Sequence, residues 1–375
     1  MSSRDNQGSY WGSTESNPPS MGSSFETPDT FQQSTFTSPH QSDEYAERAQ
    51  VQLSKELSDK GYHPVLIFGT RASGKSSLLA SLFYYLQSDP ASPAIAIRGE
   101  WIVPIDTQYG QSVADAASHF LNHVMNAFHE GKAAPSTRDD YPYYIPVILR
   151  PNNGQPEVKL AILESRGEWY AIRRDSRDLY PELRNEVSDV YKNFADRISV
   201  LLIAPYVIGE THGEEGPSEL AKTEMRESDA GIFGALQAYQ ETRQYRDLDK
   251  YLFILTKWDE HAKVIISPEF IKPPRGMVSH LIAERFPRSW TLFQNMQTGD
   301  AQSMQYSSGL MSGTERIDIP ANLKPIMNQF PKMLWRWLYT NASGYELFED
   351  QLNSTVDEKE HLGQQIMALF RKFLT

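Results

Sequence analysis

The chain has 375 residues, 39% hydrophobic and 11% aromatic, which is enough apolar material for one large or two ordinary folded domains. Its formal net charge of −12, from 48 acidic and 36 basic residues, argues against general nucleic-acid binding and against attraction to anionic lipid. The sequence has no cysteine, so disulfides, thiol nucleophiles and thiolate metal sites are excluded. It has no apolar run near the roughly 20 residues of a transmembrane helix and no secretory signal pattern, so we expect a cytoplasmic protein.

The first 43 residues differ in composition from the rest of the chain. They are rich in Ser, Gly, Thr, Pro and Gln, and they show no apolar periodicity. Such a segment cannot bury enough apolar surface to offset the entropy that is lost on ordering. We therefore predict a disordered arm over residues 1–43, a folded domain over 44–345 and a separate C-terminal segment over 346–375.

The C-terminal segment has the pattern of an amphipathic helix over residues 352–374. Thr355 and Glu358 match a capping box at its start, and Arg371 and Lys372 suit the negative end of the helix dipole. The apolar positions are Leu352, Val356, Ile366, Leu369, Phe370 and Phe373. We expect protein partners to bind through this helix or through the segments at residues 133–140 and 164–168.

Within the folded domain, short apolar runs alternate with segments of helical spacing. Continuous runs, typical of strands buried on both faces, are found at 64–68, 198–203 and 251–255. The runs 144–149 and 158–163 flank the turn sequence Pro-Asn-Asn-Gly and predict an antiparallel hairpin. Helical spacing covers 44–61, 76–86, 113–128, 179–194, 232–243, 277–286 and 331–339, and further short strands are predicted at 95–98, 101–103 and 304–307.

This alternation predicts an α/β fold. Its expected form is a mostly parallel sheet with one antiparallel hairpin and with helices on both faces. The histidines are scattered without the spacing of metal ligands, so a structural metal site is not expected.

Residues 69–76 read Gly-Thr-Arg-Ala-Ser-Gly-Lys-Ser and match the phosphate-loop pattern Gly-x-x-x-x-Gly-Lys-Ser/Thr without a mismatch. The glycines let successive backbone N–H groups turn toward the phosphates of a nucleotide, and the following helix adds the positive end of its dipole. Lys75 would neutralise the β- and γ-phosphates, and the Ser76 hydroxyl would ligate Mg²⁺. A purely structural glycine-rich turn has no use for Lys75 and Ser76 together, so we predict a nucleotide site. Its phosphate-binding residues would be Gly69, Thr70, Ala72, Ser73, Gly74, Lys75, Ser76 and Ser77.

A second motif, Thr-Lys-Trp-Asp at residues 256–259, directly follows the apolar run 251–255. Here the sequence resembles the Ras-like and translation-factor-type GTPases, whose Asn/Thr-Lys-x-Asp motif selects guanine at a strand end. The resemblance implies that Asp259 accepts hydrogen bonds from guanine N1 and N2, a pairing that adenine cannot make. It also implies that Lys257 lays its aliphatic stem along the purine ring, and that the backbone N–H of Ser308 contacts guanine O6. The base-binding candidates are Thr256, Lys257, Asp259 and Ser308.

The same resemblance places a nucleotide-sensing switch after the run 158–163, where these GTPases carry Asp-x-x-Gly. This chain has Glu164-Ser-Arg-Gly167-Glu168 there. Glu164 replaces the aspartate that is linked to Mg²⁺, and its extra methylene moves the carboxylate outward by about 1.5 Å. The N–H of Gly167 would contact the γ-phosphate. Glu168 replaces the glutamine of Ras, and an ionised carboxylate there would be repelled by the γ-phosphate. The alternative to a catalytic role is that Glu168 is an exposed acidic residue at the start of a helix.

The first switch is expected before the hairpin. Thr137 would close its hydroxyl and carbonyl over Mg²⁺ and the γ-phosphate, and its distance to the hairpin favours it over the rival Thr107.

Arg71 lies inside the phosphate loop, at a position where Ras has a glycine. Its side chain would either contact the negative charge of the transition state or point into solvent. More residues separate the phosphate loop from the motif at 256–259 than in a minimal Ras-like domain. The additional residues lie near 90–135 and 205–225.

These motifs predict a Mg²⁺-dependent protein that binds GTP and GDP and hydrolyses GTP slowly, similar to GTPases of bacterial multi-gene conflict systems. Two alternatives stay open. Glu164 and Glu168 favour a pseudo-GTPase scaffold that binds GTP and docks partners, and a P-loop ATPase is the other possibility, which Asp259 opposes. The candidate catalytic residues are Lys75, Arg71, Thr137, Gly167 and Glu168, and the candidate metal ligands are Ser76, Thr137 and Glu164.

Overall fold

The structure is a computed structural model that describes residues 52–70, 72–88, 92, 94–132, 143–164, 181–206, 219–259, 273–297, 301–309, 311–312, 315–316 and 328–347. Several predicted features lie outside these residues and remain predictions from the sequence. They are the arm at 1–43, the helix at 352–374, Arg71, Thr137, Gly167 and Glu168.

Helices and strands alternate along the described chain. The helices are α1 (Leu53–Asp59), α2 (Lys75–Ser88), α3 (Gln108–His129), α4 (Pro181–Asn193), α5 (Glu219–Thr242), α6 (Met277–Arg285), α7 (Pro287–Met296) and α8 (Gln329–Ser343). The strands are β1 (Tyr62–Gly69), β2 (Ala94–Arg98), β3 (Tyr143–Pro151), β4 (Val158–Glu164), β5 (Ser199–Pro205), β6 (Lys250–Thr256), β7 (Ser303–Gln305), β8 (Met311–Ser312) and β9 (Glu315–Arg316).

Seven strands form one sheet in the order β2-β3-β4-β1-β5-β6-β7, and β8 pairs with β9 separately. The strands from β4 to β7 in this order are parallel, whereas β2 and β3 run antiparallel to their neighbours. The α/β fold, the mostly parallel sheet and the β3–β4 hairpin are therefore confirmed. Strand β2 extends the antiparallel edge, inside the segment near 90–135 that the sequence marks as surplus.

Some predicted elements differ from the structure. Residues 101–103 do not form a strand, because the carbonyls of Trp101 and Ile102 accept hydrogen bonds from the Lys60 ammonium at 2.7 and 2.8 Å instead of pairing in the sheet. The helix predicted over 232–243 begins at Glu219, and its first three turns carry mainly polar residues that no apolar periodicity marks.

Helices cover both faces of the sheet, which explains why its central strands are continuous apolar runs. All seven positions of β5 are buried. On one face, the Phe68 ring meets Tyr239 of α5 edge-on with centroids 5.9 Å apart. On the other face, the Trp335 indole of α8 donates to the Leu82 carbonyl of α2 at 2.9 Å. Among the described residues, no helix combines the length and the apolarity that a membrane span requires.

A fully buried ion pair connects the starts of β5 and β6, at the edge of the sheet opposite the phosphate loop. The Arg243 guanidinium donates to both carboxylate oxygens of Asp249 at 3.0 Å, and neither side chain is exposed. Asp249 also accepts from the Tyr239 hydroxyl at 2.6 Å and from the Ile198 N–H at 2.9 Å. Since each charge has several partners, the pair avoids the penalty of an uncompensated buried ion and anchors the C-terminal end of α5.

His63 is a buried titratable side chain near the start of β1. Its Nε2 lies 2.9 Å from the Ser199 hydroxyl of the neighbouring strand β5. Burial lowers the pKa of His63 from 6.5 to about 4, against a smaller opposing effect of Asp196. The folded protein therefore keeps the imidazole neutral at pH values where the unfolded chain binds a proton.

We predict that acid weakens this fold through His63. As the pH falls from 6.5 toward 4, only the unfolded state gains the proton, so the free energy of unfolding should decrease by about 2–3 kcal/mol at pH 4.5 relative to pH 7. His63→Gln keeps a partner for Ser199 and should lose this part of the pH dependence in urea titrations. His119→Gln, on the exposed surface of α3, should retain it; equal acid sensitivity in all three proteins would contradict the assignment.

Candidate functional site

The loop between β1 and α2 is shaped by two glycines. A Cβ atom at Gly69 would lie 2.7 Å from the Ser73 hydroxyl and 2.8 Å from the Ile203 carbonyl of β5, so a side chain cannot fit there. Gly74 has a left-handed φ of +91°, which glycine adopts without strain. Ala72 also has a positive φ, of +61°, at an energetic cost that proteins retain mostly at functional sites.

Lys75 begins α2 and is largely buried. Its ammonium donates to the carbonyl oxygens of Gly69 at 2.9 Å and of Thr70 at 3.1 Å, so it lies across the loop that precedes it. A phosphate oxygen carries a full negative charge and is a stronger acceptor for an ammonium than a neutral carbonyl. The loop therefore holds a cation ready for an anionic ligand.

Ser73 is fully buried inside the loop. Within the described part of the chain, its hydroxyl has no hydrogen-bond partner. Buried hydroxyls in native proteins nearly always have a partner, which is a ligand or a water where the protein supplies none. Ser76 and Ser77 lie in the first turn of α2, where the backbone N–H groups of a helix are available to an anion.

Glu164 is the last residue of β4, and its side chain is fully buried. The β1–β4 register pairs Leu66 with Leu163, so Glu164 lies beside the end of β1 from which the loop starts. A carboxylate and the Ser76 hydroxyl are the hard oxygen donors that Mg²⁺ prefers. These two donors are chemically suited to a magnesium ion at the loop. Among the described residues, no group of three or more His, Asp or Glu side chains is placed to hold a metal.

Thr256 connects the second motif to the phosphate loop. Its hydroxyl donates to the Ser73 carbonyl at 2.5 Å and lies 3.1 Å from the Ala204 carbonyl of β5. A Cβ atom at Gly74 would lie only 3.4 Å from the same hydroxyl. Because β1, β5 and β6 are adjacent and parallel, their carboxyl ends meet at one edge of the sheet, the usual ligand position in such folds.

Asp259 is almost fully buried beyond the end of β6. The Ser307 hydroxyl donates to its Oδ1 at 3.2 Å and also contacts the Gly309 carbonyl at 3.0 Å. The hydrogen bond from Ser307, which follows β7, thus orients the Asp259 carboxylate. Lys257 has a left-handed φ of +56°, which is uncommon outside glycine.

Two residues of this region were missed by the sequence analysis. It singled out Ser308, whereas the contact to Asp259 comes from Ser307; a Ser-Ser pair after a strand was the available signal. Tyr306 was also missed. Its hydroxyl pairs with the Ser81 hydroxyl of α2 at 2.6 Å; its backbone N–H donates to the carbonyl of Leu255, just before the motif, and its carbonyl accepts from the N–H of Trp258 within the motif. Burial raises the pKa of Tyr306, which stays a neutral phenol.

Thr107 caps the start of α3. Its hydroxyl accepts from the Gly110 N–H and donates to the Pro104 carbonyl, both at 3.0 Å. This is the ordinary role of a threonine at a helix N-cap, so Thr107 has a structural explanation that does not involve a switch. Thr137, the preferred residue, lies outside the described residues.

No protein-family model matches the sequence, and a search of curated proteins gives no match. Solved structures do match. Toc33 from Arabidopsis thaliana, in complex with Mg²⁺ and GMPPNP, is 10% identical with a TM-score of 0.31, over 80% of this chain and 98% of its own. The signal recognition particle receptor SRb-GTP/SRX complex from Chaetomium thermophilum is 10% identical with a TM-score of 0.35, over 72% of this chain and 98% of its own.

The GTPase-like domain of S. cerevisiae Ski7, bound to GDP and inorganic phosphate, is a further match. It is 12% identical with a TM-score of 0.33, and the alignment covers 79% of this chain and 53% of that one. Identities and scores in this range do not establish a function for this chain. The chemistry available at this site therefore comes from the loop, from Thr256 and from Asp259.

Proposed function

We propose that this chain is a guanine-nucleotide-binding protein that hydrolyses GTP slowly, with Mg²⁺, as a molecular switch. The observation that carries the proposal is the hydrogen bond from the Thr256 hydroxyl to the Ser73 carbonyl at 2.5 Å. It joins the base-selecting motif to the phosphate loop, so that one nucleotide can contact both.

The phosphates would bind at the loop. Lys75 would exchange its carbonyl partners for β- and γ-phosphate oxygens, and the N–H groups at the start of α2 would donate to the same anion. Ser76 and Glu164 would hold Mg²⁺. When bound there, Mg²⁺ would neutralise negative charge on the phosphates.

The base would bind beside Asp259. A carboxylate accepts two hydrogen bonds from the N1 and N2 groups of guanine, whereas adenine presents no matching donors at that edge. Because Asp259 is nearly fully buried, a base without matching donors would leave its carboxylate with fewer hydrogen bonds than guanine provides. This favours GTP over ATP and opposes the ATPase alternative.

We predict that Lys75→Ala abolishes nucleotide binding and leaves the protein folded, because the ammonium serves the phosphates. Calorimetry with GTP and Mg²⁺ should give no measurable affinity for this variant, with an unchanged far-UV circular dichroism spectrum. Lys132→Ala removes an exposed lysine and should bind as the unmodified protein does. An unchanged GTP affinity of Lys75→Ala would refute the phosphate site.

We predict that the unmodified protein prefers GTP over ATP by at least about a hundredfold, which corresponds to about 3 kcal/mol of lost pairing at Asp259. Asp259→Asn should shift the preference toward xanthosine triphosphate, whose base edge complements an amide. Asp247→Asn, at an exposed carboxylate, serves as the control and should keep the guanine preference. Equal competition by ATP and GTP for the unmodified protein would favour the ATPase alternative.

Hydrolysis is proposed to be slow because Glu168 and Glu164 replace the glutamine and the aspartate of the Ras-type switch motif. Glu168 replaces the glutamine that positions water in Ras, and its negative charge would be repelled by the phosphate. Arg71 is the neighbouring cation that could stabilise transition-state charge without a partner protein. The intrinsic rate of Ras-type proteins, about 10⁻⁴ to 10⁻³ s⁻¹, sets the expected scale.

We predict that Glu168→Gln raises the single-turnover rate of GTP cleavage or leaves it unchanged, whereas Arg71→Ala lowers it at unchanged GTP affinity. Rapid mixing of protein in excess over GTP, with quantification of released phosphate, measures both. Loss of activity in Glu168→Gln would identify Glu168 as a working catalytic group. Complete absence of turnover in the unmodified protein, together with tight GTP binding, would favour the pseudo-GTPase alternative.

The pseudo-GTPase alternative is supported by Glu164. This glutamate is fully buried where the related motif carries the shorter aspartate, so it would hold a metal ion differently from the aspartate of the GTPases that the sequence resembles. In that case the protein would bind GTP and dock partners through the switch segments or the helix at 352–374. The relation to conflict-system GTPases and the cytoplasmic location are further proposals that rest on the sequence.

A further inference from the structure

Helix α5 contacts Thr70, the second residue of the phosphate loop. The Thr70 hydroxyl lies 3.2 Å from the Ser228 hydroxyl, one helical turn below the point of closest approach. A Cβ atom built at Gly231 would lie 2.6 Å from the Thr70 Cγ2 methyl. Real Cβ atoms essentially never come this close to another carbon, so a side chain at residue 231 would force either the Thr70 side chain or α5 to shift.

Gly231 is otherwise unfavourable for a helix. It lies in the interior of α5, where glycine destabilises a helix by about 1 kcal/mol relative to alanine. Its φ is not in the left-handed region, so no turn or cap requires a glycine here. The close approach to Thr70 is the structural explanation for this residue.

Thr70 in turn supports the groups that would bind phosphate. Its carbonyl accepts from the Lys75 ammonium at 3.1 Å and from the Ser73 N–H at 3.3 Å. A displacement of Thr70 therefore moves the acceptor of the loop cation and changes the turn that presents the backbone N–H groups. Contacts made by the Thr70 side chain should therefore change the affinity of the loop for phosphate groups.

Helix α5 cannot easily move away from the loop. The residue after Ser228, Asp229, accepts from the N–H groups of Arg288 at 3.2 Å and of Ser289 at 2.9 Å, and from the Ser289 hydroxyl at 2.6 Å. It thereby caps the start of α7. The other end of α5 is held by the buried Arg243–Asp249 pair. An added atom at residue 231 should consequently displace Thr70 rather than the helix.

We propose that Ser228 and Gly231 are positioning residues that set the affinity of the phosphate loop through Thr70. The proposal rests on the proposed nucleotide-binding function and adds a determinant that lies outside the recognised motifs. Neither residue belongs to the phosphate loop or to the motif at 256–259. The hydroxyl of Ser228 holds the Thr70 side chain, and the missing side chain of Gly231 leaves room for its methyl group.

Calorimetric titration of the full chain with GDP and Mg²⁺ tests the proposal. Gly231→Ala should raise the Kd for GDP about tenfold, equivalent to about 1.4 kcal/mol, although alanine favours the helix and thermal unfolding should not fall. Ser228→Ala adds no atoms, removes only the hydroxyl contact and should raise the Kd about threefold. Ala230→Ser, at an exposed neighbouring position on α5, is the control and should leave the Kd unchanged.

The decisive comparison is rescue by a conservative change in the loop. Thr70→Ser removes the Cγ2 methyl that Gly231→Ala would strike and keeps the hydroxyl for Ser228. The double variant should therefore bind GDP within about twofold of Thr70→Ser alone. A general effect of the mutation on α5 would not be relieved by shortening a side chain in the loop.

Two outcomes would overturn the proposal, and they are distinguishable. If Gly231→Ala binds GDP as tightly as the unmodified protein, or if Thr70→Ser fails to rescue it, the positioning role is wrong while the nucleotide site stands. If the unmodified protein itself binds neither GDP nor GTP, the proposed function and this inference both fail.

Discussion

The hydrogen bond from the Thr256 hydroxyl to the Ser73 carbonyl is the contact on which the geometry of the site depends. It is possible only because β1, β5 and β6 are neighbours in register, which brings three strand ends together. The phosphate loop also approaches β5 very closely, and this requires glycine at 69, whereas Gly74 is favoured by its left-handed φ of +91°. A side chain at Gly69 would separate the loop from the end of β5.

The two ends of the sheet use buried charge differently. At the starts of β5 and β6, Arg243 and Asp249 neutralise each other and are fully hydrogen-bonded, so they contribute to the scaffold. At the opposite ends, Lys75, Glu164 and Asp259 bring buried charge to one edge. Proteins often accept such an arrangement at functional sites, where a bound ligand supplies compensation and adds its binding energy to stability.

Much of the fold could be predicted from local patterns. The continuous apolar runs identified β1, β5 and β6, because strands buried on both faces need no polar alternation, and the Pro-Asn-Asn-Gly turn identified the hairpin. The prediction was wrong at 101–103, where an apolar run is held by Lys60 rather than by a partner strand. It was incomplete at α5, whose first turns from Glu219 are mostly exposed and carry little apolar periodicity.

The sequence by itself predicted the chemistry that two short segments could carry: a phosphate loop with Lys75 and Ser76, and a motif ending in Asp259 that is proposed to select guanine. It could do so because these groups depend on spacing along a few consecutive residues. Only the tertiary structure decided that Ser307 orients Asp259, that Thr256 supports the loop, and that Gly231 lies against Thr70. These pairs are separated by tens to hundreds of residues, and their contacts follow from strand order and helix packing, which no local pattern encodes.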